Sequence, residues 1–364
     1  MSFKNDFDKG ITLYNEKKFD EAFCVFKYLA ENNNLDSYFY LGLCYLDGLG
    51  TRINYDLAFK YFSMAAIEKV TDAYYFLAIC YIKGYGVTIN KTQGELWLKN
   101  AINENKFFAY YELGKLYLNV DDAVALKYFK LGAFNDNLKC MRQIVKMSTD
   151  NRIKKDYLIQ AIKLGNIKSI YELGLLYMEE GNKAFALYLL EHAAKNDIYY
   201  ANYVIGKNLL FGNKLFYEPK KAVKYLLIAS KNNVIDANIY LGDCYYFGLG
   251  VNQNLIKAKY YYELAANNNN LKAIKKLSEF YFDCKNSLYD EYIGKYYTER
   301  AASLGDVVSM RNLGYFYLNK VGTLSIDLDK SYYWFNEAAL LDDKVSKKEL
   351  LHFKKNIFGR LKYD

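Results

Sequence analysis

Apolar residues recur along this chain at helical spacing, and one short pattern of apolar and small residues returns at nearly constant intervals. In this pattern a small residue lies four positions before a Leu-Gly pair, and a Tyr lies three positions after the Gly. The first copy consists of Ser37, Leu41, Gly42 and Tyr45. A second apolar stretch follows and ends on a small residue, most often Ala, as at Ala65. Because both stretches have the apolar spacing of amphipathic helices, the pattern predicts repeated pairs of α-helices.

The repeat runs through almost the whole chain. Successive copies lie about 36 residues apart near both ends and about 29 to 32 apart in the middle, a period typical of stacked helix pairs. The copies begin at Ser37, Ala73, Ala109, Cys140 (a worn copy), Ser169, Ala201, Ala237, Ala273 and Ser309. We therefore predict an all-α fold, an α-α superhelix that forms a right-handed solenoid of stacked antiparallel helix pairs. The single proline of the chain fits this prediction, since proline disrupts helix interiors.

Some copies carry a Gly-x-Gly sequence between the two apolar stretches. A nucleotide-binding glycine loop follows a strand, whereas a helix precedes this one, so we interpret the first Gly as a helix end. The full pattern resembles the Sel-1-like repeat family, relatives of tetratricopeptide repeats, and the copies Ser37–Ala66 and Ala237–Ala266 resemble it most. The resemblance implies a scaffold or adaptor, as in signalling, membrane-protein quality control, or bacterial interactions with hosts or rivals.

We divide the chain into three parts. Residues 1–35 are predicted to form a tetratricopeptide-like helix pair, 36–343 nine Sel-1-like repeats in one solenoid, and 344–364 a basic C-terminal capping helix. The nine repeats are 36–70, 71–106, 107–137, 138–167, 168–198, 199–235, 236–271, 272–305 and 306–343. The loops between the two helices are long in the full copies and short in the third to fifth repeats, as at Asn119–Asp122.

The positive charge of the chain is concentrated at its C-terminal end. The formal net charge is +8, and residues 344–364 contain seven basic against two acidic residues. The rest is nearly balanced, which argues against a polyanion-binding body. Leu350, Phe353, Ile357 and Leu361 have the spacing of one helix face, which predicts a cap on the last repeat. A basic amphipathic helix also suits weak binding to an anionic membrane or nucleic acid.

The cysteines favour a reducing compartment. Cys44, Cys80 and Cys244 occupy the same place in three repeats, just before the motif Tyr, and no second Cys accompanies them. We interpret the six cysteines as small buried apolar residues rather than disulfide partners. No signal segment or run of about 20 apolar residues is evident, so we expect a cytoplasmic protein.

Catalytic and metal-binding patterns are not evident. The chain has two histidines, His192 and His352, and neither has neighbouring residues that suit a metal site or a nucleophile with its base. No pair of carboxylates stands out for acid–base chemistry. We therefore expect no enzymatic activity and no cofactor.

The variable positions of the first helix of each repeat form the candidate site. By analogy with tetratricopeptide stacking, residues three before, one after and four after the motif Gly are expected to line a concave groove. The predicted partner-binding residues are Phe39, Leu43, Tyr75, Ile79, Tyr111, Lys115, Tyr171, Met178, Tyr203, Lys207, Asp243, Tyr246, Lys275, Arg311 and Tyr315. If the aromatic side chains are exposed, they form an apolar strip that marks a protein partner; the alternative is that the superhelix buries many of them.

Three functions are compatible with these features. The leading hypothesis is a non-enzymatic scaffold or adaptor that binds a peptide, helix or folded domain of another protein in the groove. The first alternative is an immunity or inhibitor protein that sequesters a cognate toxin or effector. The second is a helical repeat that binds RNA or an anionic surface, although RNA-reading repeats need polar residues at a fixed slot, and these slots are largely aromatic and aliphatic.

Overall fold

The computed structural model describes residues 2–211, 217–319, 326–355 and 360–363. Within them the chain forms 21 α-helices and one two-stranded antiparallel sheet. The chain divides into two compact units, Met1–Ser169 and Ile170–Asp364, and each has its own hydrophobic clusters.

In the first unit, consecutive helices pair and each pair packs on the next. We call the odd-numbered helix of each pair helix A and the even-numbered one helix B. The helices are α1 (Ser2–Asn15), α2 (Phe19–Glu31), α3 (Leu35–Asp47), α4 (Tyr55–Ile67), α5 (Asp72–Lys83), α6 (Lys91–Asn103), α7 (Ala109–Tyr117), α8 (Asp122–Phe134), α9 (Leu138–Met147) and α10 (Asn151–Lys163). The boundary between the two units falls within α11 (Ile167–Glu179).

The second unit has the same order of paired helices and ends in a small sheet. Its further helices are α12 (Lys183–Lys195), α13 (Tyr199–Phe211), α14 (Pro219–Lys231), α15 (Ile235–Phe247), α16 (Leu255–Ala266), α17 (Leu271–Phe282), α18 (Glu291–Ser303), α19 (Val307–Leu318), α20 (Leu328–Leu340) and α21 (Lys344–Leu350), followed by β1 (Phe353–Lys355) and β2 (Leu361–Tyr363). These stacked antiparallel pairs confirm the predicted all-α helical-repeat solenoid, and each predicted repeat contains one pair.

The two helices of a pair approach closely at the motif glycine. A Cβ atom on Gly42 would lie 2.5 Å from the ring of Phe62, and one on Gly114 would lie 2.3 Å from the ring of Phe129. Both rings belong to helix B and are fully buried. Only glycine leaves room for a ring at this distance, so the repeated Gly is explained by packing.

Side chains and a left-handed glycine define the ends of the helices. Gly48 ends α3 with φ 71°, which confirms that the first Gly of the Gly-x-Gly loop is a helix end. The side chain of Asn54 begins α4 by accepting a hydrogen bond of 3.0 Å from the amide of Leu57. Asn34 caps α3 through the amide of Ser37 in the same way, at 3.0 Å.

The long loops of the full repeats dock on the preceding repeat. A Cβ atom on Gly50 would lie 2.2 Å from the carbonyl oxygen of Phe19, which is the first residue of α2. Equivalent close contacts join Gly86 to Tyr55 at the start of α4, and Gly250 to Pro219 at the start of α14. The second Gly of each loop therefore lets the backbone lie against the start of the previous helix B.

The cysteines only partly follow the prediction. All six are free thiols, and Cys44, Cys80, Cys140 and Cys244 are buried. Burial raises the pKa of each of these four thiols to about 12. Cys24 and Cys284 are exposed, so the interpretation of all six as buried residues is wrong for these two.

The C-terminal part is not a single helix, and that prediction is wrong. Helix α21 ends at Leu350, and Phe353 then pairs with Tyr363 in an antiparallel hairpin. The ring of Phe353 lies 5.0 Å from that of Tyr363 and 6.2 Å from that of Phe335, the core ring of the last pair. The hairpin brings Phe353 and Tyr363, ten residues apart, into one ring cluster. A continuous helix would place these two residues on separate turns. Ile357 lies outside the described residues.

Candidate functional site

The fifteen predicted partner-binding residues lie on helices A of both units. Lys115 and Lys207 are exposed and Asp243 is buried. The other twelve are half-buried. The face is therefore neither a fully exposed apolar strip nor a closed core, and its chemistry changes along the chain.

In the first unit the aromatic rings of this face are packed on one side. The ring of Phe39 lies 6.2 Å from that of Phe62 in its own helix B and 5.6 Å from that of Phe76 in the next helix A. The ring of Tyr75 lies 4.8 Å from that of Phe108, in a T-shaped arrangement. These contacts hold the rings in place while leaving part of each accessible.

An open pocket of about 390 Å³ lies between the helices A of the second to fourth repeats. Its walls are formed mainly by Tyr75, Phe108 and Tyr111, together with the first turn of α9. The ammonium groups of Lys115 and Lys139 lie 5.3 and 5.7 Å from the centre of the Tyr111 ring. The pocket thus combines aromatic walls with the cation of Lys139, whereas the Lys115 ammonium is paired with the Glu112 carboxylate at 3.0 Å. Such a composition suits an apolar side chain beside a hydrogen-bond acceptor.

Burial perturbs the tyrosines of the face. It raises the pKa of Tyr75 to about 12, and the nearby carboxylate of Glu112 adds to the effect. In the second unit, burial also raises the pKa of Tyr171 and, with Tyr240 beside it, that of Tyr203. The phenols of Tyr75, Tyr171 and Tyr203 therefore stay protonated at neutral pH and act as neutral hydrogen-bonding groups.

Asp243 forms part of an internal polar network in the second unit. The hydroxyl of Tyr262 donates a hydrogen bond of 2.7 Å to Asp243, and the ammonium of Lys276 lies 3.3 Å from the same oxygen. In the next repeat, the hydroxyls of Ser278 and Thr298 are 2.7 Å apart. Asp243 consequently contributes to repeat packing and does not present its carboxylate on the open face.

At the end of the second unit, cations replace the aromatic residues three before the motif glycine. Lys275 lies 2.9 Å from Asp306, and Arg311 lies 3.0 Å from Asp343. Asp306 also caps α19, and Asp343 caps α21. Tyr75 contacts Phe108, which precedes α7, in the corresponding place. The same contact between neighbouring repeats is thus aromatic in the first unit and ionic near the chain's end.

Tyr246 and Tyr315 are also tied to carboxylates of the second unit. The hydroxyl of Tyr246 donates to Asp283, and that of Tyr315 donates to Glu349 at 2.9 Å. Burial and the Asp283 carboxylate raise the pKa of Tyr246 to about 12. A small pocket of about 110 Å³ lies beside Tyr246, and an open one of about 500 Å³ lies along Lys275 and its neighbours on α17. Polar contacts therefore dominate this part of the face.

The structure has two accessible features that were not predicted from the sequence. Three helices B of the second unit each present a tyrosine that is 52–56% exposed, and each ring packs edge to face on the aromatic residue after it. These tyrosines are Tyr260, Tyr296 and Tyr333. Their 36- to 37-residue spacing was a usable signal. The other feature is an apolar cavity at the loop edge of the first unit, where short loops between the helices were the signal.

The described parts of the chain contain neither a metal-binding cluster nor a membrane-spanning helix. No group of three or more His, Cys, Asp or Glu side chains there is arranged to hold a metal ion. None of the helices in those parts is long and apolar enough to cross a membrane.

The stacked pairs and the variable face of helix A define a helical-repeat protein. The family model for the Sel1 repeat matches residues 35–68, 71–106, 108–133, 157–197, 200–234, 235–270, 286–306 and 307–343. These segments cover more than half of the chain, which therefore belongs to the Sel1 repeat family. The worn copy around Cys140 lies between two matched segments.

Two solved structures are similar in fold. A protective antigen of uropathogenic Escherichia coli strains, which displays an SLR fold, is 22% identical with a TM-score of 0.65, over 90% of this chain and 73% of that one. A Sel1 repeat protein from Oxalobacter formigenes is 17% identical with a TM-score of 0.54, over 90% of this chain and 89% of that one. Among the curated proteins, none matches this sequence.

Proposed function

We propose that this chain is a non-enzymatic scaffold or adaptor that holds a partner protein on the face of its helices A. One observation carries the proposal. The half-buried rings of Tyr75 and Tyr111 pack on those of Phe108 and Phe129, and together with the exposed Phe108 they border an open pocket of about 390 Å³. Rigid, half-buried aromatic residues in a pocket are the usual anchors of protein interfaces.

The proposed partner contributes an apolar side chain to this pocket. Lys139, which lines the pocket next to the Tyr111 ring, is placed to pair with an acceptor beside that side chain. The motif glycines and alanines do not take part, because they are buried in contacts between helices. The variable residues of helix A therefore determine which partner binds.

We place this function in the cytoplasm. The support is that all six cysteines are free, including the four that are buried in the repeats. In proteins that fold in oxidising compartments, cysteines are commonly paired in disulfide bonds. Localisation of a tagged full-length chain in its native host, by fractionation, tests this part of the proposal.

Site-specific photo-crosslinking in the native host tests the surface. A photoreactive residue in place of Lys115 is expected to crosslink to one partner protein. The same residue in place of Lys127, which is exposed on helix B of the same repeat, is the matched control. Crosslinking to the same partner from both positions, or from Lys127 alone, would contradict binding on the helix A face.

The affinity of the purified partner then tests the anchors. Tyr75→Ala and Tyr111→Ala are each expected to weaken binding by about tenfold or more, the usual effect of truncating an aromatic anchor. Tyr260→Ala, an exposed tyrosine on helix B, is expected to leave binding unchanged. A tight one-to-one complex with a toxin would define the scaffold as an inhibitor, whereas retention of RNA alone would overturn the proposal.

A further inference from the structure

An apolar cavity of about 470 Å³ opens at the loop edge of the first unit, away from the pocket beside Tyr111. It lies between the start of α8 and the adjoining ends of α9 and α10. Its apolar walls are Leu118, Leu126, Ile144, Met147 and Ile153. Ile144 is buried in the core, so the cavity reaches the hydrophobic cluster of the repeat.

The cavity lies where other repeats place a loop of their own. In the full repeats, the Gly-x-Gly loop docks on the start of the preceding helix B, as Gly50 does on Phe19. The residue between the two glycines, Leu49, packs against the core beside it. In the repeat 138–167, α9 ends at Met147 and α10 begins at Asn151, so no loop reaches the start of α8. The shortened loop leaves this docking place vacant.

We infer that this cavity binds an extended segment of a partner protein in which an apolar side chain is flanked by glycine or other small residues. The chain itself shows what fits, because a Gly-Leu-Gly segment fills the corresponding place in the repeats 36–70 and 236–271. Glycines let the backbone approach the helix start, and the apolar side chain fills the space between the helices.

The capped start of α8 and the balanced charges of the cavity favour a neutral occupant. The amides at the start of α8 are already capped, because Asp121 accepts hydrogen bonds from Ala123 and Val124 at 3.1 and 3.0 Å. Asp122 accepts one from Asn119 at 2.8 Å. The capped terminus offers no free amides to a phosphate or carboxylate. Asp122 and Lys130, which both line the cavity, have opposite charges, so a neutral segment fits best.

A peptide from the chain's own docked loop tests the inference. The probe is a fluorescent peptide with the sequence of residues 47–53, Asp-Gly-Leu-Gly-Thr-Arg-Ile, titrated with the full-length protein. We expect a dissociation constant on the order of 1 mM or tighter, as for a short segment with one buried side chain. A peptide with Ser in place of the Leu is expected to bind about tenfold more weakly or not at all.

A variant that closes the mouth locates the binding. Ala123 is exposed at the rim, so Ala123→Phe is expected to fold normally and to weaken peptide binding by about tenfold. Gln160→Phe adds the same ring at an exposed position of α10 outside the cavity and is expected to bind like the unmodified protein. Grafting Gly248–Asn254 in place of residues 148–150 is expected to fill the cavity and abolish binding.

Several outcomes would overturn the inference. These are no binding of the Leu peptide by the unmodified protein, and equal binding by the Ala123→Phe variant. If the unmodified protein binds a fluorescent apolar dye but no peptide, and Ala123→Phe abolishes the dye binding, the cavity would be assigned to a small molecule instead. Concentration-dependent self-association that Ala123→Phe abolishes, again without peptide binding, would assign it to a second copy of this chain.

Discussion

The hydroxyl of Tyr262 donates a hydrogen bond of 2.7 Å to Asp243, and both side chains are buried. The equivalent place on helix B holds an apolar ring in other repeats, such as Phe62 in the repeat 36–70. In that repeat the position that corresponds to Asp243 is Leu43. A buried carboxylate is costly unless it is hydrogen-bonded, so the Tyr hydroxyl and the nearby Lys276 are needed together.

Replacing Tyr262 by Phe should therefore destabilise the second unit. The change removes one hydrogen bond to a charged acceptor and leaves Asp243 with Lys276 at 3.3 Å. We expect the free energy of unfolding to fall by about 1.5–3 kcal/mol, measured by denaturant unfolding followed by circular dichroism. The double variant Asp243→Leu with Tyr262→Phe recreates the apolar pair and is expected to be more stable than Tyr262→Phe alone. A double variant as unstable as the single one would contradict this explanation.

The motif glycine at Gly114 makes a separate prediction about packing. A Cβ atom there would lie 2.3 Å from the ring of Phe129, so Gly114→Ala should lower the free energy of unfolding by about 1–3 kcal/mol through overpacking. The repeat 71–106 already has Ala78 in this place, together with the smaller Leu98 on its helix B. Adding Phe129→Leu to Gly114→Ala copies that combination and is expected to recover part of the stability, as measured by thermal unfolding. No recovery would show that the ring is not the obstacle.

The sequence predicted the helix pairs because their determinants are local. A small residue must recur wherever helix A meets a large residue of helix B, and Gly42 opposite Phe62 is such a case. The C-terminal hairpin could not be predicted in this way. Leu350, Phe353 and Leu361 have helical spacing, but the contact of Phe353 with Phe335 is made with another helix, α20, which the local spacing does not reveal.

The candidate face was predicted by position more successfully than by chemistry. The slot of Tyr75 was identified, but its half-burial depends on Phe108 of the next repeat, which the repeat pattern does not specify. The burial of Asp243 follows from the hydroxyl of Tyr262, nineteen residues later. The sequence did contain a signal for this pair. Tyr262 takes the place of the usual apolar ring, and Asp243 takes the place of an aliphatic residue opposite it.

The acidic side of the stability profile should depend on the paired caps. Burial raises the pKa of Asp306, but the hydrogen bonds from Ser309 and the ion pair with Lys275 outweigh it and hold the pKa below its usual value. A depressed pKa stabilises the fold above the unfolded value of about 3.9, and this contribution is lost as the pH falls through the lower folded value.

Asp306→Asn tests this dependence on pH. Asn still caps α19 but has no charge for Lys275, so the variant should melt at a lower temperature at pH 7. The difference from the unmodified protein is expected to shrink as the pH falls below about 4, where Asp306 is protonated first in the unfolded state and then, at its lower pKa, in the folded state. Melting temperatures between pH 2 and pH 7 measure the effect, and Asp20→Asn, exposed in the first turn of α2, is the control. A difference that is independent of pH would show that the charge does not matter.

The alkaline side should depend on the buried phenols. Burial raises the pKa of Tyr75 and Tyr246 to about 12, and that of the Cys80 thiol also to about 12. Raised values mean that the folded state holds these protons more tightly than the unfolded state does. Their stabilising contribution is therefore complete below the unfolded pKa, about 8.5 for Cys and 10 for Tyr, and is lost as the pH rises towards 12.

Tyr75→Phe removes one of these protons and should make the loss of stability between pH 10 and pH 12 less steep. Melting temperature as a function of pH gives the slope, and tyrosinate absorbance shows when the phenols ionise. Tyr260→Phe is the matched control, because the side chain of Tyr260 is 55% exposed. If Tyr75→Phe and Tyr260→Phe give the same slope as the unmodified protein, the burial of Tyr75 does not contribute to alkaline unfolding. A less steep slope for Tyr75→Phe alone would show that the aromatic face of helix A stays packed until its phenols ionise.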